Sequence, residues 1–408
     1  MNRRVFLGTA AAGLTRFATA QEPPVIPAAI RNLRPMLDDI QPITADERSA
    51  RREKARRLMH ANKLGAIVME GGSSMFYYTG VRRGANDGSA LVLAARGEPV
   101  WIVPEGGQAP GMAEVRTWAA GDGPYPRIAQ ALAERGAAAG RVGLEERVRF
   151  AVFDGLRKRA PALEFASADP VTVACRVIKS PAEIALMQRA NDITIACYRA
   201  ALATLHEGMT PRELGGSIAA AYQALGVRGD AMVSFGKYTA FPHGSVQPQQ
   251  LRAGDLVLID DGCSVEGYQS DITRTTIFGQ PSARQKEIWN LERKAQDAAL
   301  AAARPGAACE AVDAAARQVI AGFGFGPGYK VPGLPHRTGH GIGLDGHEWT
   351  YLVRGNKTRL EPGMCFSNEP TIVIYGEFGV RLEDCMYITK EGARMFTRQS
   401  PAIDQPFG

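Results

Sequence analysis

Apolar and polar residues follow two rhythms along this chain, one of period near four and one of period two. Leu64–Met69, Ala90–Ala94 and Val100–Val103 are short apolar runs of strand length, the last two arranged as a hairpin around Arg96-Gly97-Glu98. A helix is predicted ahead of them at about 48–63, and helices alternate with short strands to about residue 172. Ser180-Pro181-Ala182-Glu183 then reads as a capping box with proline at the first helical position. It opens a long helix in which Ile184, Met187, Ile193, Cys197, Ala200 and Ala201 recur at helical spacing. Thr210-Pro211-Arg212-Glu213 repeats the device for a second helix ending near Gly226. Helices at about 282–303 and 308–321 precede another strand-rich stretch, 335–399. The order of two helices followed by strands thus occurs twice, a weak internal repeat.

Length and composition set broad limits. A chain of 408 residues with 45% apolar and 22% charged residues is long enough for two domains with full cores. The predicted division is 1–20 signal segment, 21–47 extended surface stretch, 48–175 first α/β domain and 176–408 second domain. The stretch 21–47 is marked by five prolines, at 23, 24, 27, 35 and 42. Net charge is +6, of which Arg3, Arg4 and Arg16 supply three, and the remaining +3 is too mild to call for a polyanionic partner. No nucleic-acid partner is expected, and the basic run at 48–57 reads as a solvated helix face. Arg3-Arg4 followed by Val5, Phe6 and Leu7, with Ala18-Thr19-Ala20 before Gln21, resembles a cleavable twin-arginine export signal. The expectation is a periplasmic or exported protein with no stable membrane insertion after cleavage. No other stretch approaches the roughly 20 apolar residues of a membrane span. The six cysteines lack C-x-x-C spacing and read as small buried side chains.

Candidate chemistry gathers in the second half. Asp260 and Asp271 lie in L-I-D-D-G-C-S-V-E-G-Y-Q-S-D-I-T-R, His340 in T-G-H-G-I-G, Glu369 in S-N-E-P and Glu383 in V-R-L-E-D. Each interrupts an apolar, strand-like run, where an unpaired charge is costly to bury. Taken singly, each has a plain structural reading: a turn or cap for the aspartates, a strand end for Glu369, a pair with Arg381 for Glu383, a loop role for His340. Together, four carboxylates and one imidazole could hold two divalent cations, and hard or borderline cations suit an oxygen-rich set. On one continuous strand, aspartates 11 residues apart would face opposite ways, so the D-G and E-G turns between them predict a hairpin or bulged loop. The glycines around His336 and His340 argue against a helix presenting both to zinc. Gly341-x-Gly343-x-x-Gly346 meets the dinucleotide fingerprint in letters but neither follows a clear strand nor opens a long helix. No G-x-S-x-G or Walker sequence is present.

These motifs, with H-R-T-G-H-G-I-G-L-D-G-H-E and D-I-T-R-T, resemble those of the pita-bread metallopeptidases: aminopeptidase P, prolidase and the related creatinases. The resemblance covers about 48–400. It implies an α/β creatinase-like N-terminal domain and an α+β pita-bread catalytic domain with pseudo-two-fold symmetry, its metal site between the halves. It further implies that Asp271 and Glu383 bridge two metals, that His340 and Glu369 complete one site, and that Asp260 completes the other. Glu369 would also shuttle a proton. His243 in F-P-H-G matches a histidine near the substrate, His347 in G-H-E one that stabilises the oxyanion, and Arg381 an arginine that orients the site. His336 and Arg337 are candidates for shaping the pocket. The implied reaction is cleavage of the Xaa-Pro bond at the N-terminus of proline-containing di- or oligopeptides, with manganese the first choice of metal and cobalt or zinc acceptable. A homodimer is implied as well. Two departures stand out, Thr371-Ile372-Val373-Ile374 after Glu369-Pro370 and Asp261 beside Asp260, and neither removes a ligand. Hydrolysis of a small non-peptide C–N substrate, and peptide or metal binding without turnover, are the alternatives.

Overall fold

The computed structural model describes residues 27–408 apart from 85–86, 109–110 and 112–113. The expected signal segment, 1–20, lies outside the described residues. The first part of the chain runs α1 (Ala28–Arg31), α2 (Ala45–Ala61), β1 (Ala66–Glu70), α3 (Ser73–Thr79), β2 (Ala90–Ala94), β3 (Val100–Pro104) and β4 (Glu114–Trp118). It continues through α4 (Tyr125–Glu134), β5 (Gly140–Leu144), α5 (Phe150–Arg159), β6 (Leu163–Ser167) and α6 (Asp169–Arg176). Its strands form one sheet ordered β4-β3-β2-β1-β5-β6, with β1, β2 and β3 antiparallel and the outer pairs parallel. Both faces are covered, which is why these strands read as unbroken apolar runs. Val68, Val92, Val100 and Ile102 face Ile128, Leu132, Val152 and Leu156 of α4 and α5. Their neighbours Ile67, Met69, Leu91, Trp101 and Val103 point the other way, into a second core.

The second part repeats helix, helix, strands. The first half holds α7 (Pro181–Leu202), α8 (Pro211–Ala224), β7 (Met232–Phe235), β8 (Leu256–Asp261), β9 (Ser264–Val265), β10 (Tyr268–Gln269) and β11 (Ile272–Ile277). The second half holds α9 (Ala283–Ala302), α10 (Cys309–Gly322), β12 (Gly339–Gly341), β13 (Glu348–Leu352) and β14 (Cys365–Asn368). It closes with β15 (Thr371–Ile374), β16 (Phe378–Arg381), β17 (Asp384–Ile388) and β18 (Ala393–Met395). Ser180 with Glu183 and Thr210 with Glu213 form the capping boxes read from the sequence, and Ser282 with Gln285 adds a third. The halves contribute sheets ordered β11-β8-β7 and β13-β12-β14-β17-β18. The α/β first domain and α+β second domain therefore stand as the resemblance implied.

Two expectations are corrected. The stretch within 21–47 does not simply lie extended on the surface where it is described: α1 packs against α7 and α8, Ile30 and Ile43 are buried, and Met36 N donates to Leu225 O. Leaving two isoleucines in water would forfeit about 1.5–3 kcal/mol each. The basic helix α2 is not wholly a solvated face either. Its buried stripe is Arg51, Ala55 and Met59, spaced by four, and Arg51 is 6% exposed. The Arg51 guanidinium donates to Glu47 (2.8 Å), the Tyr268 hydroxyl (3.1 Å) and Tyr77 O (3.1 Å), and lies 3.3 Å from Glu183. Tyr268 in turn donates to Glu183 at 2.7 Å. This hub ties the first domain to the β9–β10 hairpin. Arg51→Met is expected to cost about 3–5 kcal/mol in urea unfolding, because Glu183 is left buried without its cation. A loss under about 1 kcal/mol would return Arg51 to the solvated reading. All six cysteines are buried and free.

Candidate metal centre and active site

Strand pairing explains how residues distant in sequence meet. β8 and β11 are antiparallel with Asp260 opposite Thr273, and β9 and β10 continue the same register to a two-residue turn at Glu266-Gly267. Both turn residues have left-handed φ, 48° and 88°, the conformation of the tightest hairpin turns. Asp271 lies two residues before Thr273, so strand alternation returns it to the face occupied by Thr273 and its partner Asp260. The odd spacing that would separate the aspartates on one strand unites them in a hairpin.

The other ligand candidates follow the same logic. His340 sits in the centre of β12, a strand rather than a helix. β12 pairs with β14, and the pairing extends to Glu369 N donating to Thr338 O at 2.8 Å. β14 pairs with β17 with Asn368 opposite Asp384, which sets Glu369 across from Glu383. Glu383 N donates to Thr273 O at 3.1 Å, stitching the two halves together at the site.

The structure brings the five side chains together. Ligand atoms of Asp260, Asp271 and Glu383 lie within 4.8 Å of one another, as do those of His340, Glu369 and Glu383. His340 is 1% exposed, with Nε2 3.2 Å from Glu369 and 3.6 Å from Asp271. Its Nδ1 lies 3.1 Å from Gly341 O, and since a carbonyl only accepts, Nδ1 carries a proton, which leaves Nε2 turned toward Glu369 and Asp271. Burial, then the nearby Asp260, pushes the Asp271 carboxyl well above its ordinary range. Burial and then Asp271 do the same to Glu383. Glu369 moves the other way despite its burial, because His340 hydrogen-bonds it. Arg381 pairs with Asp260, not with its near neighbour Glu383, and donates through Nε to Thr273 at 3.0 Å.

Thr273 escaped the sequence reading. Its hydroxyl lies 2.5 Å from Asp260 and 2.7 Å from Glu383, so one proton faces two carboxylates. The only signal for it is its place two residues after Asp271. Glu383 Oε1 is buried and has no hydrogen-bond partner. A buried orphan carboxylate oxygen among four acidic side chains is what a cation site requires, so the residues present fit the implied pair of divalent ions.

A cavity of about 130 Å³ opens on this cluster, lined also by Pro242, His243, His336, Arg337 and His347. His243 and both candidate pocket-shaping residues, His336 and Arg337, thus border the cavity, and Asp261 is not among the lining residues. His336 bonds Thr371 Oγ1 at 3.0 Å, which gives the departing Thr371 a contact with the cavity wall. The His347 ring lies 3.9 Å from that of His340, centre to centre. Arg337 donates to its Nδ1 at 3.1 Å, so Nε2 holds the ring proton. Burial, His340 and Arg337 lower its pKa to about 4, which keeps the ring neutral near pH 7. A neutral imidazole with a free N–H beside a metal cluster is suited to donate to a developing oxyanion.

Comparison with known proteins agrees with this geometry. Residues 185–390 match the model of metallopeptidase family M24, and residues 51–178 match the creatinase/prolidase N-terminal domain. The chain is 35% identical over 260 residues to the Xaa-Pro dipeptidase of Pyrococcus horikoshii, spanning 63% of this chain and 73% of that protein. The solved structure of dipeptidase PepE from Mycobacterium ulcerans superposes with a TM-score of 0.80 at 32% identity, covering 88% of this chain and 97% of that one. X-Pro aminopeptidase from Thermotoga maritima, at 24% identity and a TM-score of 0.76 over 86% of this chain and 98% of that one, shares the fold. With its ligand-type residues on paired strands between two similar halves, the chain belongs to metallopeptidase family M24 and carries a creatinase/prolidase N-terminal domain.

Proposed function

We propose that this protein is a metal-dependent Xaa-Pro peptidase that hydrolyses the bond preceding proline at the N-terminus of short peptides. The observation that carries the reading is the buried, cation-demanding cluster around Glu383 set beside the neutral N–H of His347. Two divalent cations held by Asp260, Asp271, His340, Glu369 and Glu383 would supply a water acidified toward neutral pH and a Lewis acid for the carbonyl. Glu369 would take a proton from that water and return it to the departing proline nitrogen. His347 Nε2–H donates to the carbonyl oxygen as it gains charge. Arg381 fixes Asp260 and Thr273, and His243 borders the cavity on the Pro242 side. Manganese is the proposed native metal, on the oxygen-rich ligand set. Export through the twin-arginine-type segment and assembly as a homodimer are further proposals, resting on the sequence and its resemblance alone.

The test is cleavage of Ala-Pro and Ala-Pro-Ala, side by side, by residues 21–408 loaded with manganese. Cleavage of either, abolished by chelator and restored by metal, is the expected result, and the preferred length names the subclass. Cleavage of neither with metal bound would overturn the reading in favour of a non-peptide C–N substrate or a binding protein.

A further inference from the structure

His347 does not stand on a regular element. It lies in the turn between β12 and β13, and that turn winds around one carboxylate, Glu348. Glu348 Oε1 accepts from Leu344 N at 2.8 Å and Asp345 N at 3.2 Å, so the side chain closes its own loop. The charge that holds this carboxylate comes from outside the loop. Lys179 Nζ lies 3.0 Å from Oε2, and Arg176 pairs with Oε1. The same guanidinium reaches Asp345 Oδ2 at 2.7 Å and Ser74 Oγ at 3.2 Å, and Ser73 donates to Asp345 Oδ1 at 2.7 Å. Side-chain exposures of Lys179, Glu348 and Arg176 are 2%, 6% and 10%, so solvent screens these pairs little. Burial opposes the Glu348 charge, yet Lys179 and Arg176 bring its pKa down to about 2, which leaves it ionised at any working pH. The fit is close: a Cβ at Gly343 would meet Glu348 Oε2 and Lys179 Cε at 2.8 Å each.

Ser73 and Ser74 open α3 in the first domain and Arg176 ends α6 at the junction with the second, so the clamp reaches the catalytic loop across that junction. We propose that Arg176, with Lys179, is a positioning residue for hydrolysis: through Asp345 and Glu348 it sets the loop that carries His347 against the metal cluster. Neither cation touches the ligand-type residues, so the effect runs through His347. The inference rests on the role given to His347 in the proposed function.

The experiment is a double-mutant cycle on the manganese-loaded enzyme with Arg176→Lys and His347→Ala, together with amide hydrogen exchange over 343–349. Lysine keeps the charge but cannot span Asp345, Glu348 and Ser74 at once. Misplacing a catalytic group by about 1 Å costs on the order of 10²-fold. Arg176→Lys alone is therefore expected to lower kcat by about 10- to 100-fold, with KM and bound metal unchanged. In the His347→Ala background the same change should have almost no further effect on kcat. Exchange at Leu344 and Asp345 should rise, while β12 and β14 keep their protection. An equal loss of kcat in both backgrounds, full activity in Arg176→Lys, or loss of metal would each overturn the proposal. If the native enzyme cleaves no Xaa-Pro peptide, the functional reading fails separately, and the exchange result still decides the clamp: unchanged protection at Leu344 and Asp345 overturns it, raised exchange supports it.

Discussion

Replacing Asp271 with asparagine is expected to strip the protein of bound metal and lower kcat/KM by about 10³-fold or more, the equivalent of several kcal/mol of lost Lewis-acid stabilisation. The same change should stabilise the chelated protein near neutral pH. In the metal-free fold, Asp271 and Glu383 are both held above their ordinary values of 3.8 and 4.5 by burial and by neighbouring carboxylates. The sign follows from linkage. Below those values both groups are protonated, folded or unfolded, and cost nothing. As pH rises through them toward the raised folded values, the unfolded chain releases protons that the folded one retains, and stability falls. Chelated wild-type protein should thus lose Tm as pH rises above about 4.5, Asp271→Asn should lose less, and added metal should reverse the loss only in the wild type. Calorimetry across that range with metal analysis checks all three. An asparagine variant that keeps both its metal and its activity would refute the assignment of Asp271.

Glu369→Gln should lower kcat by about 10²–10⁴-fold, the usual contribution of a positioned acid–base group. Glutamine preserves shape and one ligating oxygen but cannot carry a proton. Binding at Asp260, Asp271 and Glu383 should survive, so the variant is expected to retain at least one metal equivalent and a KM for Ala-Pro within a few-fold of wild type. Steady-state kinetics beside metal stoichiometry separates the two roles of Glu369. A kcat near that of wild type would leave it a ligand only.

Much of this site was readable because its residues break the rules of their surroundings. Each such carboxylate or imidazole has a plain structural use alone, but five inside apolar runs do not, and Asp260, Asp271, His340, Glu369 and Glu383 all gather in one cluster. The capping boxes at Ser180 and Thr210 were readable for a related reason, since the signal lies within four residues. What stayed hidden depends on partners far along the chain. Arg51 looks like any arginine of a basic helix until Glu183 and Tyr268, more than 130 positions later, close over it. Thr273 looks like an ordinary strand threonine until β8 and the residue before β17 flank it. The spacing of Asp260 and Asp271 pointed to a hairpin, but the shared face needed the register that pairing alone supplies.

That register has an evolutionary corollary. The two aspartates agree in direction only while the loop between them keeps its parity. Inserting or deleting one residue at the Glu266-Gly267 tip would slip the pairing by one and swing a carboxylate to the far side of the sheet. Two residues gained or lost would lengthen or shorten the tip and leave the chemistry intact. Natural length variation at this tip should therefore come in even steps, with single-residue changes surviving only where a bulge absorbs them.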